Sequence, residues 1–430
     1  MSIVLVVGLQ FGDEGKGKVV DLLSKKADAI VRSYGGNNAG HTVNINNEEL
    51  KVHLLPSGVF YPHTKCFIAS NCVVDPKSIL EEIKLCEKKG FYSLDSRLFI
   101  SSYANVIFDY HRLFDALEEE RKINKIGTTK KGIGPCLSDK INRIGIRITD
   151  LIDEDILKEK LKENILLKNE ILEKLYNHKP IDFEATYQEY KSLGMSLKKY
   201  VLNVENKVSE MISNKENIIF EGSQGSLLDI TFGTYPYVTS SSILSSSFYA
   251  GLNVKKNDNF HNLGIIKAYI TRVGSGPLPT KLAKDEEKLF DHTKIKEIGT
   301  STNKYRTIGW FDAILAKYSV NINSIDSLAI TKLDVLDDLD EIKVCTKYKI
   351  GSEIINNMPL NTKQLESAIP IYETFKGWKT STKNIKNFND LPKNAKTYLE
   401  FLKNICNLPI SIISVGPKRD QTIWLKEFFN

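Results

Sequence analysis

Ile3-Val4-Leu5-Val6-Val7-Gly8 is an unbroken apolar run, and after Leu9-Gln10-Phe11 it opens into Gly12-Asp13-Glu14-Gly15-Lys16-Gly17-Lys18. A strand apolar on both faces belongs inside a parallel sheet covered by helices. The residues beyond the glycines, Val19-Val20-Asp21-Leu22-Leu23, have helical character. Strand, glycine loop and helix in this order make a phosphate cradle. Glycines let backbone N–H groups converge on phosphate oxygens, Lys16 supplies charge, and the helix N-terminus adds its positive dipole end.

The loop departs from the usual Walker A pattern, because six residues separate Gly8 from Gly15 and Gly17 stands where a Ser or Thr normally reaches magnesium. The metal then needs another ligand, and Asp13 is the candidate. A carboxylate among phosphates is repelled unless a divalent cation or a proton transfer compensates it, so its position points to chemistry.

Working outward, runs of the same character recur at Ala29 to Arg32, Cys66 to Ala69, Ile218 to Phe220, Gly264 to Ala268, Leu328 to Leu333 and Ile410 to Val415. They predict an open α/β fold with a mostly parallel central sheet. Between 100 and 215 the chain becomes a largely helical excursion capping that sheet. From Asp150 to Lys215 it carries Ile156, Leu161, Ile165, Leu172 and Leu175 at helical spacing among Lys and Glu. Heptads are not sustained across His178 to Pro180, which favours an amphipathic cover over a coiled coil. With no internal repeat and no Pro/Gly/Ser linker, residues 1–430 read as a single α/β domain with insertions.

The 59 basic and 53 acidic residues nearly cancel, and the net charge of +6 is spread along the chain rather than gathered in an arm, so no nucleic-acid partner is expected. No apolar run approaches the roughly 20 residues that span a bilayer, and no signal-peptide layout precedes the first strand, so no membrane partner is expected either. The six cysteines (Cys66, Cys72, Cys86, Cys136, Cys345, Cys406) form no CxxC pair and sit mostly among apolar neighbours, as reduced core thiols do. A cytoplasmic location is the expectation.

Gly35-Gly36-Asn37-Asn38-Ala39-Gly40-His41-Thr42 follows the second strand and is too polar and glycine-rich for a core element. His41 could act as a general acid near neutral pH, and Asn38 offers an amide to a base or phosphate. The other histidines lack metal-ligand spacing, which leaves zinc chemistry without support. Gly127-Thr128-Thr129-Lys130-Lys131-Gly132-Ile133-Gly134-Pro135 gathers hydroxyls, backbone donors and charge suited to a second phosphate. Thr331-Lys332-Leu333-Asp334 closes a strand in the manner of the NKxD element of GTP-binding proteins, whose aspartate accepts from guanine N1–H and N2–H2. With the N-terminal loop it favours GTP over ATP.

Together these segments resemble the adenylosuccinate synthetase family in order and spacing over essentially the whole chain. The likeness continues through Phe220-Glu221-Gly222-Ser223-Gln224-Gly225, Gly233 to Ser240, Thr271-Arg272-Val273-Gly274, Gly309-Trp310-Phe311-Asp312, Tyr372-Glu373 with Gly377-Trp378, and Ser414-Val415-Gly416-Pro417. The resemblance implies a sheet distantly like that of P-loop GTPases, a homodimer, and GTP- and Mg2+-dependent joining of IMP to L-aspartate. It implies that Asp13 removes the N1 proton of IMP, that His41 steadies phosphoryl transfer to the 6-oxygen, and that Lys16 and Gln224 complete the catalytic set.

By the same carry-over, Mg2+ is held by Asp13 and the Gly40 carbonyl. GTP falls to Gly12, Glu14, Gly15, Lys16, Gly17, Lys18, Gly40, His41, Thr42, Arg306, Lys332, Leu333, Asp334, Ser414, Val415 and Gly416. IMP falls to Asp13, Asn38, Thr129, Gln224, Thr239, Val273 and Lys304, with Arg143 reaching its phosphate from the other subunit. L-Aspartate falls to Thr300, Ser301, Thr302, Asn303, Lys304 and Arg306.

Two stretches depart from the family pattern. The aspartate loop, usually Thr-Gly-Arg-x-Arg, reads Thr302-Asn303-Lys304-Tyr305-Arg306, and Lys304 keeps the charge without the planar fork of arginine. After Ser240 a glycine-rich stretch is replaced by Ser241-Ser242-Ile243-Leu244-Ser245-Ser246-Ser247-Phe248-Tyr249. A dGMP-using variant of the ligase is one alternative, a GTP-controlled switch protein another, and a folded but inactive relative a third.

Overall fold

In a computed structural model, which describes residues 2–429 apart from 46–47, 253, 255–258, 291–296 and 298–304, the Ile3–Gly8 strand (β1) lies at the middle of an eleven-stranded sheet. In chain order the others are β2 (Ala29–Gly35), β3 (Lys65–Val74), β4 (Leu98–Ser101), β5 (Asn105–Val106), β6 (Val201–Leu202), β7 (Ile218–Glu221), β8 (Phe260–Lys267), β9 (Ser327–Thr331), β10 (Ile410–Ser414) and β11 (Thr422–Trp424). They stand in the order β11-β10-β9-β8-β1-β7-β2-β3-β4-β6, with β5 against β3. The pairing is parallel everywhere except between β10 and β11. Each of the seven runs picked out above contributes a strand, and the fold is the mostly parallel α/β sheet they predict.

All six residues of β1 are buried because β8 and β7 flank it and helices cover both faces. On one face, Val19, Val20 and Leu23 of helix α1 (Lys16–Ser24) pack with Val4, Val6, Ile30, Ile219, Leu263 and Ile412. Burying each of these large apolar side chains is worth about 1.5–3 kcal/mol. The other face carries the larger cluster, including Leu5, Val7, Val31, Phe220 and Phe248. Parallel strands end on the same side, so the loops after β1, β2, β7, β8, β9 and β10 meet at one sheet edge. Register fixes the detail: Val6 lies opposite Glu221, which lies opposite Arg32.

The helical excursion includes α2 (Glu154–Tyr176), capped by Asp153 accepting from the Ile156 N–H, and α3 (Phe183–Leu197), which packs on it. Its buried stripe is Leu157, Leu161, Ile165 and Leu172, whereas Ile156 and Leu175 face solvent. The short β6 follows α3 and pairs at the sheet edge, so the excursion returns to the sheet it covers. A separate sheet of Phe311–Asp312, Glu341–Ile350, Glu353–Ile355 and Ile369–Lys376 lies outside the main one. All six cysteines are buried thiols, and burial pushes the pKa of Cys66 and Cys72 up to about 12. Among the described residues no helix is long and apolar enough to cross a membrane.

Candidate functional site

A cavity of about 960 Å3 opens along the carboxyl edge of the sheet, walled by the loop after β1 on one side and by Thr239, Val273 and Lys332 on others. The loop is folded tightly: Gly12, Asp13 and Gly15 all have positive φ (87°, 58° and 87°). Such angles are free for glycine and cost a side-chain-bearing residue energy, so Asp13 is held there by its surroundings. Glu14 points inward and is fully buried. Its carboxylate accepts from the N–H groups of Gln10 (3.0 Å) and Gly12 (2.8 Å) and pairs with Lys16 Nζ at 2.6 Å. Glu14 therefore shapes the loop from beneath instead of lining the cavity. Gly8 makes room for this pair, because a Cβ there would meet Glu14 Oε2 at 2.5 Å and Lys16 Nζ at 2.8 Å.

The missing Ser/Thr of the Walker pattern has a packing reason. A Cβ on Gly17 would lie 3.1 Å from His41 Cβ and 3.2 Å from the Thr42 carbonyl, since α1 packs directly on the strand His41–Ile45. Lys18 turns the other way. Its ammonium donates to Ser414 Oγ (2.8 Å) and to the carbonyls of Gly416 (2.7 Å) and Gln421 (2.9 Å), which ties α1 to the loop after β10. Burial draws its pKa down to about 7.

His41 is buried against Glu221. Its Nδ1 faces Glu221 Oε1 and lies 3.2 Å from Ser57 Oγ, and Glu221 also accepts from the Ser57 N–H at 2.8 Å. This arrangement assigns the Nδ1 proton to the carboxylate side and leaves Nε2 of this cavity-lining residue buried without a protein partner. Burial lowers the pKa of His41, and the nearby Glu221 charge offsets only part of that. Burial alone would raise Glu221, but His41, Arg32 and Ser57 outweigh it and hold the carboxyl below its ordinary value. Each group of the pair is thus held below its ordinary value.

Gln224, at φ 51°, lines the same cavity and has both amide atoms without a protein partner, and the buried hydroxyl of Thr128, also a lining residue, is likewise unpaired. Buried polar atoms are ordinarily satisfied, so several orphans among the lining residues of one cavity point to a polar ligand. Asp13 lines the same cavity. Its Oδ2 accepts from Arg306 Nε (2.9 Å) and Nη2 (2.8 Å), while Arg306 Nη1 reaches the buried Glu297.

The structure brings Gly12, Asp13, Gly15, Lys16, Gly17, Lys18, Asn38, Gly40, His41, Thr42, Thr129, Gln224, Thr239, Val273, Arg306, Lys332, Asp334, Ser414 and Gly416 to this one cavity. Leu333 and Val415 are buried in the core and do not line this cavity. Lys332 takes φ 60° to start the turn Leu333–Leu336 that presents Asp334, whose pKa burial raises. Arg143 is exposed just past helix Ile133–Ile141 and does not line this cavity. Thr300, Ser301, Thr302, Asn303 and Lys304 lie outside the described residues.

Four groups were not singled out from sequence. Glu221 and Lys267 end apolar strands, and Asp21 interrupts Val19-Val20-Asp21-Leu22-Leu23 to make a bidentate pair with Arg419 (2.7 and 2.6 Å). Arg272 donates to Thr234 Oγ1 and to the carbonyls of Tyr237 and Pro277, which fixes the Thr239 segment against the wall. A charge inside an apolar run is the signal each of the first three carried.

Comparison with known proteins agrees with this geometry. The family model described as adenylosuccinate synthetase matches residues 5–423. Adenylosuccinate synthetase of Crocosphaera subtropica is 47% identical over 429 residues, covering 99% of this chain and 95% of the relative. The structure of fully ligated adenylosuccinate synthetase from Plasmodium falciparum superposes with a TM-score of 0.92 at 36% identity, covering 99% of this chain and 100% of that one. A cyanophage S-2L succinoaminodeoxyadenylate synthetase bound to dGMP and dATP shares the fold at TM-score 0.62 and 18% identity, covering 99% of this chain and 96% of that one. By this family match and these relatives the chain belongs to the adenylosuccinate synthetase family, GTP-dependent ligases that join IMP to L-aspartate.

Proposed function

We propose that the cavity runs the ligation in two steps and that Asp13, His41, Lys16 and Gln224 carry it. Asp13 accepts the N1 proton of IMP, which makes the 6-oxygen a nucleophile toward the γ-phosphorus of GTP. The O6–P bond forms as the bond to the bridging oxygen breaks, and GDP departs. The amino group of L-aspartate then attacks C6, loses a proton, and expels inorganic phosphate, giving adenylosuccinate. His41, doubly protonated beside the incoming phosphate charge, donates from Nε2 to the transferring phosphoryl group, Gln224 orients the purine edge, and Lys16 offsets the negative charge.

Several assignments complete the reading. Asn38, Thr129, Thr239 and Val273 hold IMP. Lys332 and Asp334 read guanine against the Ser414–Gly416 backbone, with Lys18 holding that backbone in place. Arg306, now paired with Asp13, turns to a carboxylate of L-aspartate. The protein offers Mg2+ one carboxylate, Asp13, and one carbonyl, Gly40. Among the described residues no group of three or more His, Cys, Asp or Glu could hold a metal. That sparse oxygen set fits an ion that takes most of its ligands from phosphates and water. When bound, Mg2+ supplies charge neutralisation on the transferring phosphate. Arg143, exposed and away from its own cavity, reaches the IMP phosphate of a second copy in a homodimer. The chain is a single α/β domain capped by the 100–215 helices, and its buried thiols suit the reducing cytoplasm.

The observation that supports this reading is that Asp13, His41 with its partnerless Nε2 and Gln224 with its partnerless amide line one cavity together with the glycine loop. Asp13→Asn tests it. The amide cannot accept the N1 proton, so turnover falls by at least about 10²-fold while IMP and GTP binding by calorimetry stays measurable. Near-normal turnover overturns the assignment.

A further inference from the structure

Glu297 has no part in the steps above, yet three cations and a phenol converge on it. Its carboxylate is fully buried and accepts from Lys267 Nζ (3.1 and 3.3 Å), Lys332 Nζ (3.1 Å), the Tyr269 hydroxyl and Arg306 Nη1. Its backbone carbonyl accepts from the Arg306 N–H at 2.9 Å. Lys267 Nζ is pinned in turn by Thr271 Oγ1 at 2.5 Å, so the hub is anchored on β8. A buried carboxylate survives as an anion only when paired and hydrogen-bonded on all sides, a condition these groups meet.

The two oxygens divide the work. Lys332 sits on Oε1 and Arg306 on Oε2. Lys332 leads into the turn that presents Asp334, and Arg306 leads to Asp13. A ligand that engages either cation changes the charge Glu297 can offer the other, and the rigid carboxylate cannot give up one oxygen without moving its fellow.

We infer that Glu297 is a positioning residue that joins the guanine-reading and aspartate-binding cations into one unit, so that nucleotide and L-aspartate each sense the other's arrival. The inference rests on the ligase reading above, with Lys332 at guanine and Arg306 at the aspartate carboxylate. A coupling of this kind appears as a reciprocal change in affinity, commonly about 5- to 150-fold.

The experiment is calorimetric. L-Aspartate is titrated into the full-length protein with IMP, with and without GDP, which occupies the guanine pocket but has no γ-phosphate to transfer. In the wild type GDP should weaken L-aspartate by about fivefold or more, because a guanine that draws Lys332 away leaves Glu297 to hold Arg306 more tightly. In Glu297→Gln that ratio should fall to about one while the IMP Kd moves less than about twofold. A ratio preserved in Glu297→Gln, or a wild-type ratio of one, overturns the inference. Should Glu297→Gln fail to fold, Lys332→Met on the half-buried rim serves instead. It should weaken L-aspartate by about fivefold without nucleotide although Lys332 does not touch that ligand, and unchanged affinity overturns the inference. Two controls separate this from failure of the underlying reading: wild-type protein must form adenylosuccinate, and Arg306→Met must weaken L-aspartate.

Discussion

Two histidines in this protein share nearly the same surroundings and differ in one nitrogen. His41 and His111 are both buried, at 6% and 2% exposure, both face a carboxylate, and in both burial lowers the pKa. His111 is closed: Nδ1 accepts from the Phe108 N–H at 3.0 Å, Nε2 meets Asp139 at 3.0 Å, and Lys168 takes the other Asp139 oxygen at 2.6 Å. His41, which lines the cavity, is closed on one side only, by Glu221 and Ser57, and its Nε2 has no protein partner. A buried, carboxylate-paired histidine with both nitrogens spent is a packing device, whereas one with a nitrogen left over has the means for the role proposed for His41.

The comparison breaks most decisively at the histidines themselves. His41→Asn should lower kcat by at least about 10²-fold, since a positioned acid–base group contributes on that scale. His111→Ala should leave kcat within about twofold but destabilise the protein by about 2–4 kcal/mol, because it orphans the Phe108 N–H and one Asp139 oxygen. Steady-state kinetics and thermal melting on the pair separate the two roles, and a His41→Asn enzyme retaining a tenth of its turnover would erase the distinction.

The carboxylates sharpen it. Glu221→Gln keeps the shape but removes the charge that supports an imidazolium at His41, so kcat should drop roughly 10–10³-fold. Asp139→Asn should cost stability and spare kcat. Equal kinetic effects in the two variants would mean that Glu221 does no more for His41 than Asp139 does for His111.

The smallest effect is in pH. Both imidazoles have folded-state pKa values below the ordinary 6.5, so on acidification the unfolded chain takes up these protons first. Their contribution is intact above 6.5 and is lost as pH falls from there through the folded-state values. Melting curves from about pH 8 to about pH 5 should show this limb, at most about 1.4 kcal/mol per pH unit per group. His41→Asn and His111→Ala should each flatten it. An unchanged slope in both would place the acid sensitivity elsewhere.

Much of the fold was readable because continuous apolar runs declare buried parallel strands, as in Ile3-Val4-Leu5-Val6-Val7 and Ile218-Ile219-Phe220. What escaped was short or alternating. Val201–Leu202 and Thr422–Trp424 are too brief to stand out, and Glu341–Ile350 alternates charged and apolar residues because one face is exposed. The site was legible where chemistry sits in contiguous glycine-rich segments, such as Gly12 to Lys18. It was illegible where it depends on a distant partner. Phe220-Glu221-Gly222 was read as a family segment, but nothing near it announced His41, and Glu297 carried no local pattern at all.

The sequence by itself determined that the chain builds a parallel sheet, where its glycine loop opens after the first strand, and which family it joins, since those properties are written in neighbouring residues through periodicity, glycine and charge. Only the tertiary structure decided which polar atoms remain unspent. Glu221 closes one side of His41 from 180 residues away, and Arg306 reaches Asp13 across 293. Whether a nitrogen or carboxylate is satisfied depends on everything that folding brings within about 3 Å of it, and no local stretch of chain contains that information.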